Sequence, residues 1–265
     1  MDLNLAGRPA LVTGGSRGIG RAVARVLLTE GASVAVVSRH RDANAVAVAH
    51  LAEETGGRVW GVVADMSRPE DCARAVEETV RQFGGLHILV NCGARVSGDE
   101  PEDPEHIDDD LIRRDFEEKV LGYWRMSRAA VLPMRAAGYG RIISLGGNAA
   151  RVAGAVSAGV RNAAVAHMTK TLAMAYGRDG ITCYAVYPAL TLTEAVRDRM
   201  EREAAAKGVG MEQVLARYAS HHALGRLVTA DEVADVVAFL ASPRAAAMTG
   251  EVVAVTGGAD PAVRY

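Results

Sequence analysis

Residues 11–20, Leu-Val-Thr-Gly-Gly-Ser-Arg-Gly-Ile-Gly, constrain the fold more than any other stretch of the chain. A short apolar run leads in and a helical pattern over residues 21–30 leads out. Glycines at 14, 18 and 20 let the chain turn sharply out of a strand and bring bare backbone against a phosphate. The helix behind them offers unpaired N–H groups and the positive end of its dipole, which suits a pyrophosphate. A glycine pattern alone marks only a turn. Strand, turn and helix in this order point to dinucleotide binding.

The rest of the chain extends the same motif. Buried strands are expected over residues 9–12, 33–37, 59–63, 86–91, 141–145, 181–186 and 251–255. Helices are expected over residues 18–29, 43–55, 68–83, 111–137, 156–177, 193–207, 211–219 and 229–241, with Pro133 bending or ending the long one. Alternation of this kind implies right-handed crossovers and a parallel sheet covered on both faces. The expected class is α/β, a single Rossmann-type doubly wound parallel sheet of about seven strands. No composition break or linker divides the chain, so residues 1–265 are expected to form one domain. The acidic stretch 98–110 reads as a solvated loop with acids at a helix start.

Composition narrows the function class. A formal charge of −2 with no Lys/Arg run gives no reason to expect nucleic acid. Residues 1–10 lack a basic start before an apolar core, and no apolar run approaches membrane-spanning length. Neither export nor a membrane is therefore expected. Cys72, Cys92 and Cys183 are few and set among apolar residues, which fits a reduced cytoplasmic compartment. No Cys/His spacing suggests a metal.

Several stretches together resemble the short-chain dehydrogenase/reductase family over nearly the whole chain. The turn Thr13–Gly20 matches that family's cofactor motif without a gap. Asn91-Cys92-Gly93-Ala94 is similar to its Asn-Asn-Ala-Gly segment, and Leu224-Gly225-Arg226, residues 231–240 and Thr249-Gly250 match its C-terminal pattern. The resemblance implies cofactor contacts at Gly14, Ser16, Arg17, Gly18, Ile19 and Gly20 in the turn. It implies others at Asp65 and Met66 beside the adenine, and at Asn91 and Gly93. Pro188 and Thr193 follow the sixth strand, where the family uses a Thr to hold the nicotinamide amide. The second strand ends in Arg39 rather than an acid, with Arg17 as a possible second fork, so NADP(H) is expected over NAD(H).

The family's chemistry uses a Tyr as general acid/base, a Lys four residues later, a Ser on the fifth strand and an Asn on the preceding helix. Matching the flanking segments puts these positions at Ala158, Asn162, Gly147 and Lys119. All four usual groups are absent, and a methyl cannot donate a proton. The Asn has become Lys119 while the Lys has become Asn162, an apparent exchange across the chamber. Asn162 is expected to keep bonding the nicotinamide ribose. Two readings of Lys119 stay open: a buried proton donor of lowered pKa, or an ion pair with Asp115 one turn back. Asn148, Tyr123 and Ser157 are further candidates for the catalytic set.

The expected function is hydride transfer between NADP(H) and a carbonyl/alcohol or an activated double bond, with a non-standard acid/base site centred on Lys119. Lyase- or cyclase-type catalysis without redox, or an inactive NADP(H)-binding protein, are the alternatives. Residues 189–222 are expected to form a helical lid over a small-molecule substrate, apolar or acyl/polyketide-like. The two long helices are apolar enough to build a homotetramer or homodimer.

Overall fold

The computed structural model describes residues 2–94, 100–101 and 103–259. The chain alternates β1 (Pro9–Thr13), α1 (Gly18–Thr29), β2 (Ser33–Ser38), α2 (Arg41–Thr55), β3 (Val59–Val63), α3 (Pro69–Phe83) and β4 (Ile88–Asn91). It continues through α4 (Asp109–Asp115), a π-helical turn at Phe116–Leu121, α5 (Gly122–Ala137), β5 (Gly140–Leu145), α6 (Val156–Tyr176) and β6 (Ile181–Pro188). After β6 come β7 (Thr191–Leu192), α7 (Glu194–Lys207), α8 (Met211–Ala219), β8 (Val228–Thr229), α9 (Ala230–Ala241) and β9 (Val252–Val255). The main sheet has seven strands in the order β3-β2-β1-β4-β5-β6-β9, with every recorded pairing parallel. The order reverses between β1 and β4, the place where an open α/β sheet leaves a crevice at its carboxyl edge.

Strand side chains alternate between two buried faces, which is why the central strands read as continuous apolar runs. Ala10, Val12, Val34 and Val36 point to one face, where Val23 and Leu27 of α1 and Val233 and Val237 of α9 cover them. Leu11, Ala35, Val37 and Leu89 point to the other, under Ala75 of α3, Met126 and Ala130 of α5 and Leu172 of α6. Helices thus lie on both faces, as the sequence predicts. Among the described residues no helix is long and apolar enough to cross a membrane.

The long helical pattern departs from expectation in two places. Pro133 neither ends nor interrupts the helix, which runs on to Ala137. The irregularity falls earlier, where the helix loosens into the π turn that carries Lys119. The parallel pairing of β7 with β8 was not expected either, since two-residue strands carry no periodicity. It ties the entry of α7 to the entry of α9. The α7–α8 segment packs around its own small cluster of Val196, Met200, Ala204, Val214 and Leu227.

Candidate active site

The glycine turn sits at the carboxyl edge where β1 meets β4. Thr13 binds the two strand ends together, its Oγ1 accepting from the backbone N–H groups of Cys92 and Gly93 at 3.0 Å each. Gly14 has φ +64°, and a Cβ there would lie 2.6 Å from Gly93 Cα. A Cβ at Gly93 would in turn meet Met66 Cε at 2.8 Å. Gly14, Gly93 and Met66 therefore form a floor on which only bare backbone fits. Ile19 packs against the core beneath the turn, and Ser16 Oγ reaches Ser38 Oγ at 3.3 Å. Arg17 is exposed at the start of α1 and makes no capping hydrogen bond with its side chain. Pro188 ends β6, and Thr193 caps α7 by accepting from Val196 N at 3.4 Å. A Cβ at Gly18 would lie 3.5 Å from Thr193 Cγ2, so the turn and the start of α7 are adjacent.

On the adenosine side Arg39 is exposed, with Nη1 3.5 Å from Glu118 Oε1. Asp65 commits Oδ1 to Ser67, accepting from its N at 2.9 Å and its Oγ at 2.8 Å. Asn91 is fully buried inside the sheet, where Nδ2 donates to Ser127 Oγ at 3.1 Å and Ser144 Oγ at 3.2 Å.

The structure gathers Lys119, Asn162 and Asn148 around Gly146 and Gly147, just past the end of β5. Lys119 is 5% exposed, and Nζ donates to the Gly146 carbonyl at 3.2 Å. Burial, reinforced by the Arg161 guanidinium, lowers its pKa from the ordinary 10.5 to about 7. Asn162 packs against Gly147, where a Cβ would stand 2.9 Å from its Nδ2. Asn162 Oδ1 and Asn148 Oδ1 are buried acceptors with no hydrogen-bond partner among the described residues. Ala158 is buried.

The ion pair between Lys119 and Asp115 does not form. Asp115 pairs with Arg161 instead, Nη1 to Oδ1 at 3.1 Å, with both side chains at most 5% exposed. It also accepts from Ser157 Oγ at 2.6 Å. The π turn explains the exchange: residues four apart share a face in an α-helix, but the wider turn rotates Lys119 off Asp115. Two catalytic candidates are thereby engaged elsewhere. Ser157 faces Asp115 in the interior. Tyr123 is fully buried and donates to the Leu145 carbonyl at 3.2 Å, and burial pushes its pKa up. Its ring lies 5.8 Å from Lys119 Nζ.

Three features escaped the sequence reading. The Asp115–Arg161 pair links α4 to α6. Glu100, from the stretch expected to be solvated, reaches the start of α6 and accepts from Ser157 N at 2.9 Å and Ala158 N at 3.4 Å. Residues 98, 99 and 102 of that stretch lie outside the described residues. Glu194 sets its carboxylate on the glycine turn, accepting from Gly18 N at 3.2 Å and pairing with Arg21. No spacing rule signals contacts between residues so far apart in the chain.

The profile of the family described as enoyl-(acyl carrier protein) reductase matches residues 14–260. The chain is 34% identical over 257 residues to the short-chain reductase protein NovJ of Streptomyces niveus, covering 94% of this chain and 92% of the relative. It is 35% identical over 260 residues to an A-factor type gamma-butyrolactone 1'-reductase of Streptomyces virginiae, covering 96% of each. Among solved structures, L-sorbose reductase from Gluconobacter frateurii, complexed with NADPH and L-sorbose, superposes with a TM-score of 0.93. That match is 31% identical and covers 99% of this chain and 100% of the other.

Proposed function

The chain belongs to the short-chain dehydrogenase/reductase family, and on that premise we propose that it transfers hydride between NADP(H) and a carbonyl or activated double bond, with Lys119 handling the proton. The coarser part, an NADP(H)-dependent oxidoreductase, rests on relatives that are reductases and on a structural neighbour complexed with NADPH.

The residues present fit the dinucleotide. Gly14 and Gly93 bring bare backbone together at the turn, and Arg17 makes no capping bond of its own at the α1 N-terminus. The orphaned Oδ1 of Asn162 suits a ribose hydroxyl. Arg39 is exposed at the end of β2 and suits a 2′-phosphate, its contact to Glu118 being long.

When bound, NADPH supplies the hydride. The chain's own part is orientation and the proton. Lys119 carries the reading: a buried ammonium with one acceptor at 3.2 Å and further N–H groups to give. A proton leaving Nζ for the substrate atom that has gained electrons removes a buried charge. Burial and Arg161 both favour that direction. In the reverse direction neutral Lys119 takes the proton back.

Residues 189–222 are read as a lid over an apolar or acyl substrate, and residues 1–265 as one unit. Leu132 of α5 and Met174 of α6, 71% and 79% exposed, favour assembly of copies through these helices. Lys119→Met should bind NADPH normally and lose turnover across a panel of ketones and enones. Full activity in that variant rejects the role of Lys119. A second reading, a nucleotide-holding subunit without turnover, draws on the buried methyl of Ala158 where the family has its acid. It gains support if the unmodified protein binds NADPH and reduces nothing.

A further inference from the structure

Glu194 stands at the first position of α7, where an acid ordinarily serves the dipole of its own helix. Here both carboxylate oxygens are turned onto a different helix. Oε2 accepts from Gly18 N at 3.2 Å, and Oε1 pairs with Arg21 one turn further along α1. The residue before it, Thr193, presses its methyl group toward Gly18. Arg17, the residue before α1, makes no capping bond with its own side chain. The anion-binding end of the glycine turn thus already holds an anion, supplied by the segment read as the lid.

We propose that Glu194 is an internal competitor for the cofactor: its carboxylate occupies N–H and guanidinium donors of the α1 N-terminus that the dinucleotide pyrophosphate needs, and binding must displace it. The idea rests on the NADP(H) reading and adds to it. Two anions cannot share one set of donors without strong repulsion at such separations. Whether Glu194 swings away or stays nearby, its negative charge therefore opposes the pyrophosphate. Displacement also breaks the tie between α7 and the glycine turn, so filling the dinucleotide site releases the start of the lid. Glu194 consequently sets cofactor affinity and links cofactor entry to the position of α7.

Glu194→Gln keeps an oxygen for Gly18 N and removes the charge. Its side chain is 53% exposed, so the substitution spares the core. NADPH binding to the full chain is followed by nicotinamide fluorescence at low salt. The variant should bind about tenfold more tightly than the unmodified protein, as expected for lifting one close like-charge contact. Glu194→Ala, which removes charge and acceptor together, should also bind more tightly, and it decides the matter if the glutamine variant fails to fold. Equal or weaker NADPH binding by Glu194→Gln overturns the proposal while leaving the cofactor reading standing. Failure of both proteins to bind NADPH overturns both.

Discussion

Replacing Lys119 by Met tests the placement of the ammonium without any substrate. An unfolded lysine holds its proton to about pH 10.5, whereas in the fold burial and Arg161 bring release down to about 7. Between those values the unfolded chain binds one more proton than the folded chain, so raising the pH stabilises the fold. Below pH 7 both states are protonated and the folded chain carries the full cost of a buried charge. At 1.36 kcal/mol per pKa unit that cost is on the order of 5 kcal/mol. Against it stands the hydrogen bond to Gly146, worth about 1 kcal/mol. Methionine fills a similar volume without the charge. Lys119→Met should therefore be more stable than the unmodified protein at pH 6.5, and the gap should close as the pH approaches 10. Urea midpoints measured in parallel at several pH values cancel the other titrating groups. A second assay follows the lysines by NMR after reductive methylation. The chain has only two others, Lys170 and Lys207, both on exposed ion pairs. The α-amino group is methylated too and titrates at about 8, so the Lys119 signal is identified by its loss in Lys119→Met, and it should titrate near 7. A stability gap that stays flat from pH 6.5 to 10, with the Lys119 signal titrating near the ordinary lysine value, would falsify the buried placement.

Two further outcomes follow from the geometry. Arg39→Glu should weaken NADPH binding by about 10- to 100-fold, the loss of a charge-assisted bond to phosphate, and leave NADH binding little changed; titration with both cofactors checks this. An equal loss for both would remove Arg39 from the 2′-phosphate site. Asp115→Ala should cost about 3–5 kcal/mol of stability, because it strips the carboxylate from a buried guanidinium and from Ser157. An unfolding free energy from urea titration within about 0.5 kcal/mol of the unmodified protein would mean that the pair is solvated.

The acidic stretch and the long helix show where pattern reasoning stopped. Glu100 was read as solvated because charge in a turn-rich segment favours water, yet it serves as a distant cap for α6. Lys119 was offered Asp115 by helical spacing, and the π turn withdrew it. In both cases the deciding contact joins residues on separate elements, or depends on a local backbone deviation that side-chain periodicity does not encode. Tyr123 is placed near the chemistry by helical spacing from Lys119, and Ser157 by its position beside Ala158. Their hydroxyls turn instead to Asp115 and to the Leu145 carbonyl.

By itself the sequence determined the doubly wound sheet, its seven strands and the glycine turn at the crevice. Apolar runs, turn glycines and helix periods are local, and local patterns suffice when every strand is buried on both faces. Tertiary structure alone decided which charges meet: Arg161 takes Asp115, Lys119 is left on a carbonyl, and Glu194 crosses to the glycine turn. Charge pairing in a low-dielectric interior depends on distances of a few ångströms between elements far apart in the chain, and those distances exist only once the helices have packed.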